Sequence, residues 1–222
     1  MAMTMVQVVT PRRALATRGA GWARALAAWL AARAVRPDAV SMAGIAFAGV
    51  SALAFPTSSD PGPGGRVAWL LLAASCIQLR LLCNLLDGML AVEHGMKTPV
   101  GDIFNDLPDR LSDVLMLVAA GYASPGSPYG PALGWAAAVT AVLTAYVRVL
   151  GGSLGLQQHF VGPMAKQHRM FALTVATLAA AAETSAGWPP RALQIGLAVI
   201  ATGSMVTVVR RTDRLVAEAS GR

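Results

Sequence analysis

A chain of 222 residues that is 55% hydrophobic and only 13% charged is too apolar for an ordinary soluble domain. Apolar runs of about 20 residues are what a membrane span requires, so one membrane domain is the economical reading. The net charge of +7 suits an anionic lipid surface or anionic substrates; without a soluble basic module, we expect no nucleic-acid partner.

Residues 1–37 hold six arginines (Arg12, Arg13, Arg18, Arg24, Arg33 and Arg36) and no acid. Between Gly21 and Val35, Trp22, Leu26, Trp29 and Leu30 alternate with Arg24 and Arg33, as in an amphipathic helix lying on a membrane. Organellar transit peptides share the arginine-rich, acid-poor start, but no small-residue cleavage site follows a hydrophobic region here. The expected organisation is a basic arm with a surface helix over 1–37, a membrane domain over 38–210 and a short cytoplasmic tail over 211–222.

Six apolar segments follow the arm, at approximately 39–56, 67–91, 104–123, 132–151, 170–186 and 190–209. The expected fold is an all-α integral membrane protein with six transmembrane helices. Breaker-rich turns separate the segments, as in the uncharged run from Ser124 to Pro131 and at Gly187–Pro190. Cys76 and Cys83 fall inside an apolar run and read as buried thiols. Basic residues sort by side: the arm, Lys97, Lys166, Arg169, Arg210, Arg211 and Arg214 share one face, opposite Arg66 and Arg191. By the positive-inside rule, both termini and the polar stretch described next face the cytoplasm, in a bacterial-type inner membrane.

That stretch runs from Asn84 to Asp113. Asn84 and Asp87 lie three apart at the end of one apolar run, and Asn105, Asp109 and Asp113 recur every four residues at the start of the next. Each set shares a helical face. Two oxygen-bearing faces ending at one depth can converge on divalent cations, and carboxylates inside membrane helices are functional candidates by default. Gly88 and Gly101 leave room for a ligand to approach the backbone. Arg80 lies one turn before Asn84, about 6 Å deeper, in the same layer as Asp113 on the oppositely directed helix. An unpaired charge there costs about 2.5–3.5 kcal/mol on insertion scales, so Arg80 and Asp113 are expected to pair.

The stretch reads Asn84-x2-Asp87-Gly88-x2-Ala91-Val92-x8-Gly101-x3-Asn105-x3-Asp109. It resembles the signature of the CDP-alcohol phosphotransferases, D-x2-D-G-x2-A-R-x8-G-x3-D-x3-D, with every spacing kept. Three of the eight defined residues differ, at Asn84, Val92 and Asn105. The resemblance implies transfer of a phosphatidyl group from a CDP-linked lipid, such as CDP-diacylglycerol, to an alcohol, with release of CMP. It implies Asp109 as general base, and Asn84, Asp87, Asn105 and Asp109 as ligands of Mg²⁺ or Mn²⁺. The chemistry of such a site suits displacement at a pyrophosphate, which two cations about 4 Å apart could serve, though the number bound is not fixed by the sequence. Gly88, Ala91 and Gly101 map to donor contacts, and a homodimer is implied as well. Asparagine keeps an oxygen ligand but removes a negative charge and cannot act as a base; Asp102 and Asp106 share the helical face and offer replacements. Val92 leaves the signature's arginine without an equivalent.

A second cluster contains Arg148, Lys166 and Arg169, which the resemblance reads as contacts to an anionic acceptor such as a polyol phosphate. The competing reading makes them positive-inside anchors against lipid headgroups. Two other functions fit less well. A catalytically silent membrane protein of the same fold would bind lipid or nucleotide without turnover, and an ion transporter would need its polar residues to continue to the far face.

Overall fold

The computed structural model describes residues 20–59, 62–96, 100–123 and 127–221. Arg12, Arg13 and Arg18 of the arm, Lys97, the 124–126 part of the uncharged turn and the side chain of Asp102 lie outside the described residues.

Seven α-helices make up the described chain: α1 Gly21–Ala32, α2 Pro37–Thr57, α3 Pro63–Glu93, α4 Gly101–Tyr122, α5 Gly130–Ser153, α6 Lys166–Ser185 and α7 Ala192–Ser220. Proline stands in the first turn of α2, α3 and α5, where its fixed φ suits the helix and its missing N–H is not needed. Each of the six expected apolar segments becomes one of α2 to α7. Four of these (α2, α3, α5 and α7) are long and apolar enough to cross a membrane.

α2 packs on α3 and α4, α3 on α6, α6 on α7, α7 on α5, and α5 on α4, closing a ring of six helices. Its core is built from small and medium side chains, among them Phe55, Leu70, Ile77, Met116, Leu117, Leu173 and Leu197. Small residues set the closest approaches. A Cβ on Gly121 of α4 would lie 2.6 Å from the carbonyl oxygen of Gly130 on α5, and one on Gly134 would lie 2.9 Å from that of Leu117. Such contacts let backbones meet closely where lipid supplies no hydrophobic drive between helices.

α1 lies against α3 through Ala23 and Ala27, and exposes Trp22 and Trp29. The Arg33 guanidinium stacks 3.7 Å from the centre of the Trp29 ring. Residues 211–220 of the expected tail continue α7 as helix. Leu215 packs with Val147 and Leu156, and the Glu218 carboxylate accepts from Gln157 N at 3.1 Å and meets His159 Nε2 at 3.0 Å. These contacts hold the α5–α6 connection against the end of α7.

At the opposite pole, Arg66 is buried and ties three chain segments together. It donates to Ser58 O at 2.9 Å, Ala123 O at 3.1 Å and Thr184 Oγ1 at 3.0 Å. Glu183 accepts from the N–H groups of Arg191 and Ala192, which satisfies donors at the start of α7 that the helix itself leaves unpaired.

Candidate functional site

The polar end of the ring is where α2, α3, α4 and α6 meet. Asp87 and Asn84 project from α3, Asn105 and Asp109 from α4, and all four line one small cavity, joined by Ser41 of α2 and by Arg80. The i, i+3 and i, i+4 spacings do what the sequence implies and gather the four on facing helix surfaces. The cavity measures about 10 Å³, the scale of a single water or a bare cation.

Its two acids differ in their surroundings. Asp87 Oδ2 accepts from Ser41 Oγ at 2.7 Å, while Asp87 Oδ1 is buried without a hydrogen-bond partner. Asp109 is the better satisfied. Its Oδ1 accepts from Arg80 Nη2 at 2.8 Å and from Asn84 Nδ2 at 3.0 Å. Its Oδ2 accepts from Lys166 Nζ, with Arg110 Nη2 further off at 3.7 Å.

Arg80 does lie beside Asp113, at 3.7 Å, so the expected pair forms. Its shortest contact is nevertheless to Asp109, one turn nearer the cavity. Asp113 finds its closest partner in Arg169, whose Nη2 donates to Oδ2 at 2.8 Å. The result is an alternating row of charges: Arg169, Asp113, Arg80, Asp109, Lys166. Arg80, Asp113 and Arg169 are each at most 2% exposed, and opposite charges in alternation are how such groups are tolerated away from water.

The three basic residues of the second cluster share this end of the molecule but not one partner. Arg148 Nη2 donates to Asp106 Oδ1 at 2.7 Å, Lys166 reaches Asp109, and Arg169 joins Asp113, Thr144 Oγ1 and Met164 O. Asp106 is therefore engaged by Arg148, and by Arg110 at 3.5 Å, and does not line the cavity. Gly88 is buried, whereas Ala91 and Gly101 are half-buried; none of the three lines the cavity. Val92 is 48% exposed and does not line the cavity.

Ser41, Arg110 and Thr144 escaped the sequence reading. Ser41 gives a faint signal, a hydroxyl in the first turns of an otherwise apolar segment, but its 46-residue separation from Asp87 hides the pairing.

Among the described residues, no three His, Cys, Asp or Glu side chains gather as a metal site. The donors that do gather are hard oxygens from two carboxylates and two amides, the set that Mg²⁺ or Mn²⁺ takes. Asp87 Oδ1, buried without a donor at the cavity, fits a cation there, because such an oxygen is unfavourable until a cation, a water or a proton meets it.

No family model matches the chain. An uncharacterized protein of Aquifex aeolicus (strain VF5) is 31% identical over 144 residues, covering 64% of this chain and 67% of that protein, and the chain belongs to the same family as that relative. Among solved structures, it is similar to Mycobacterium tuberculosis phosphatidylinositol phosphate synthase with CDP-DAG bound: 21% identity, 88% of this chain, 94% of that one, TM-score 0.70. The same synthase in complex with manganese and citrate matches at 21% identity over 87% and 88% of the two chains, TM-score 0.70. Its apo form matches at 22% identity over 85% and 93%, TM-score 0.66. The fold is thus shared along nearly the whole chain.

Proposed function

From a chain that has the fold of phosphatidylinositol phosphate synthase, and whose residues 84–109 keep the CDP-alcohol phosphotransferase spacing, we propose a membrane-embedded CDP-alcohol phosphotransferase. It transfers a phosphatidyl group from a CDP-linked lipid, such as CDP-diacylglycerol, to an alcohol, and CMP leaves. One observation carries the reading: Asp87 and Asp109 share a cation-sized cavity, and Asp87 Oδ1 is buried there without a partner.

In this proposal α2 to α7 all cross the membrane. α4 and α6 miss the apolar criterion because they carry the charges of the site: Asp106, Asp109, Arg110 and Asp113 on one, Lys166 and Arg169 on the other. α1 lies on the membrane surface with Trp22 and Trp29 in the interface, and the charged pole faces the cytoplasm of a bacterial-type cell. A homodimer is carried over from the family resemblance.

Asn84, Asp87 and Asn105 would hold the divalent cation, which when bound neutralises pyrophosphate charge and eases departure of CMP. Ser41 fixes the Asp87 carboxylate. Arg80 and Asn84 saturate Asp109 Oδ1, which orients Oδ2 toward the acceptor. Oδ2 takes the proton of the attacking hydroxyl. The new bond joins the acceptor oxygen to the lipid-bearing phosphorus; the bridging P–O bond breaks, and its electron pair leaves with CMP. Arg148 and Lys166, each partly exposed, supply positive charge for a phosphorylated polyol acceptor. Arg169 contributes from deeper in the row. Gly88, Ala91 and Gly101 border the approach of the nucleotide.

The test is CMP release by the purified protein from CDP-diacylglycerol, with Mg²⁺ or Mn²⁺, against a panel of alcohols and phospho-alcohols. Release that depends on both acceptor and metal is expected. Donor binding without CMP release from any acceptor would favour the catalytically silent protein, for which the loss of two signature carboxylates is the specific argument.

A further inference from the structure

Resting on the reading above, we propose that this site works with one divalent cation, and that the Lys166 ammonium is the permanent occupant of the position on Asp109 where a second would bind. The two cations that such chemistry could use are thereby reduced to one cation and one lysine.

The argument begins with the lone pairs of Asp109. A carboxylate offers about four acceptor directions, two on each oxygen. Arg80 and Asn84 fill both on Oδ1, at 2.8 and 3.0 Å. Lys166 fills one of the two on Oδ2. A single direction remains, with Arg110 Nη2 3.7 Å from the same oxygen, and the proton of an attacking alcohol requires it. A cation bound to Asp109 would have to displace Lys166 or occupy the place of that proton. Asp87 is the reverse case: its Oδ1 has no donor at all. One acid of the cavity is open to a cation, and the other is closed by an ammonium.

Charge leads to the same number. Asp87, Asp106, Asp109 and Asp113 stand among Arg80, Arg110, Arg148, Lys166 and Arg169, so the protein's own cations already outnumber its carboxylates by one. The pyrophosphate of a CDP-linked lipid brings two negative charges, which one divalent cation cancels. A second cation would add two further positive charges that nothing compensates in a largely buried site, where such an excess is strongly unfavourable.

The placement of Lys166 also requires a local cause. It is the first residue of α6, and the partial positive charge of a helix amino terminus disfavours a cation there. Asp109 supplies the compensation from across the bundle. With Lys166 held by one of its three N–H donors, the other two remain for phosphate oxygens. Lys166 then replaces a metal's charge without needing metal from solution.

The experiment is Mn²⁺ titration of the full-length protein in detergent, read by electron paramagnetic resonance and by bound-metal analysis. One Mn²⁺ per chain with the spectrum of an isolated ion is expected. In Lys166→Met, checked for folding by thermal melting, the stoichiometry should rise to two, the second ion binding at least tenfold more weakly. Two ions with a spin-coupled spectrum in the unsubstituted protein would overturn the assignment of Lys166 while leaving the transferase reading intact. A stoichiometry that stays at one in folded Lys166→Met would overturn it too. No specifically bound Mn²⁺ in either protein would overturn the metal-dependent transferase reading itself.

Discussion

Arg169 Nη2 donates to Asp113 Oδ2 across 2.8 Å, in a layer where both residues are 1% exposed. The same guanidinium reaches Thr144 Oγ1 and Met164 O through Nη1, each at 3.1 Å. A residue bound to α4, α5 and its own preceding loop holds the ring closed. Removing one partner of a buried ion pair costs about 3–5 kcal/mol, because the other charge is left uncompensated. Arg169→Met should therefore melt well below the unsubstituted protein in detergent, and below Lys166→Met, whose side chain is 22% exposed. A normally stable Arg169→Met that merely raised the KM for the acceptor would make Arg169 a substrate contact instead.

Among the described residues, Ser41 is the hydroxyl that donates to Asp87, and its bond to Oδ2 is 2.7 Å long. Hydrogen bonds to charged groups contribute about 1.5–3 kcal/mol. Without it, the carboxylate can rotate away from the cation position. Ser41→Ala should raise the Mn²⁺ concentration for half-maximal binding by roughly tenfold, which is about 1.4 kcal/mol, and Ser41→Thr should restore most of the affinity. An unchanged Mn²⁺ affinity in Ser41→Ala would show that Asp87 is not a ligand.

Much of the fold could be read from the chain, because long apolar runs punctuated by proline and glycine leave little choice about where helices begin. The end of α7 could not. Residues 211–220 include Arg211, Asp213, Arg214 and Glu218, and nothing in their spacing shows that Leu215 and Glu218 meet the α5–α6 connection. At the site, the 84–109 spacing predicted which four side chains would converge, since helical periodicity decides that. Which cation meets which acid is decided between helices, and spacing is silent there. In sequence, Arg169 and Lys166 both read equally as acceptor contacts or as positive-inside anchors. A single turn of α6 separates a partly exposed mouth residue from a fully buried one. Arg80 was placed in the right layer, yet its nearer partner is Asp109, which only the relative rise of α3 and α4 determines.

Asp109 is the one acid in contact with Arg80, Asn84 and Lys166 together. Asp109→Asn keeps an acceptor oxygen for Arg80 but cannot take a proton. General-base catalysis typically contributes 10²–10⁴-fold, so kcat for CMP release should fall by about that range while CDP-diacylglycerol binding persists. Loss of donor binding, with kcat falling no further than binding explains, would assign Asp109 to donor binding and move the base elsewhere.

The two asparagines should respond differently to restored charge. Asn84 Nδ2 donates to Asp109 Oδ1 at 3.0 Å, so Asn84→Asp replaces a donor by a second acceptor at hydrogen-bond distance. Two carboxylate oxygens that close repel unless a cation lies between them. Metal-free Asn84→Asp should melt at a lower temperature than the unsubstituted protein. Mn²⁺ should then raise its melting point by more than it raises that of the parent, since a ligand bound only to the folded state stabilises in proportion to its occupancy. Asn105 lines the same cavity but does not donate to Asp109. Asn105→Asp should therefore lower the Mn²⁺ concentration for half-maximal binding with a smaller loss of stability in EDTA. The comparison isolates the Asn84–Asp109 bond, because both substitutions add one negative charge to one cavity. Equal melting behaviour of the two variants in EDTA would show that the bond contributes nothing to stability. If both instead required more Mn²⁺ than the parent, amides rather than carboxylates would be the ligands this site is built around.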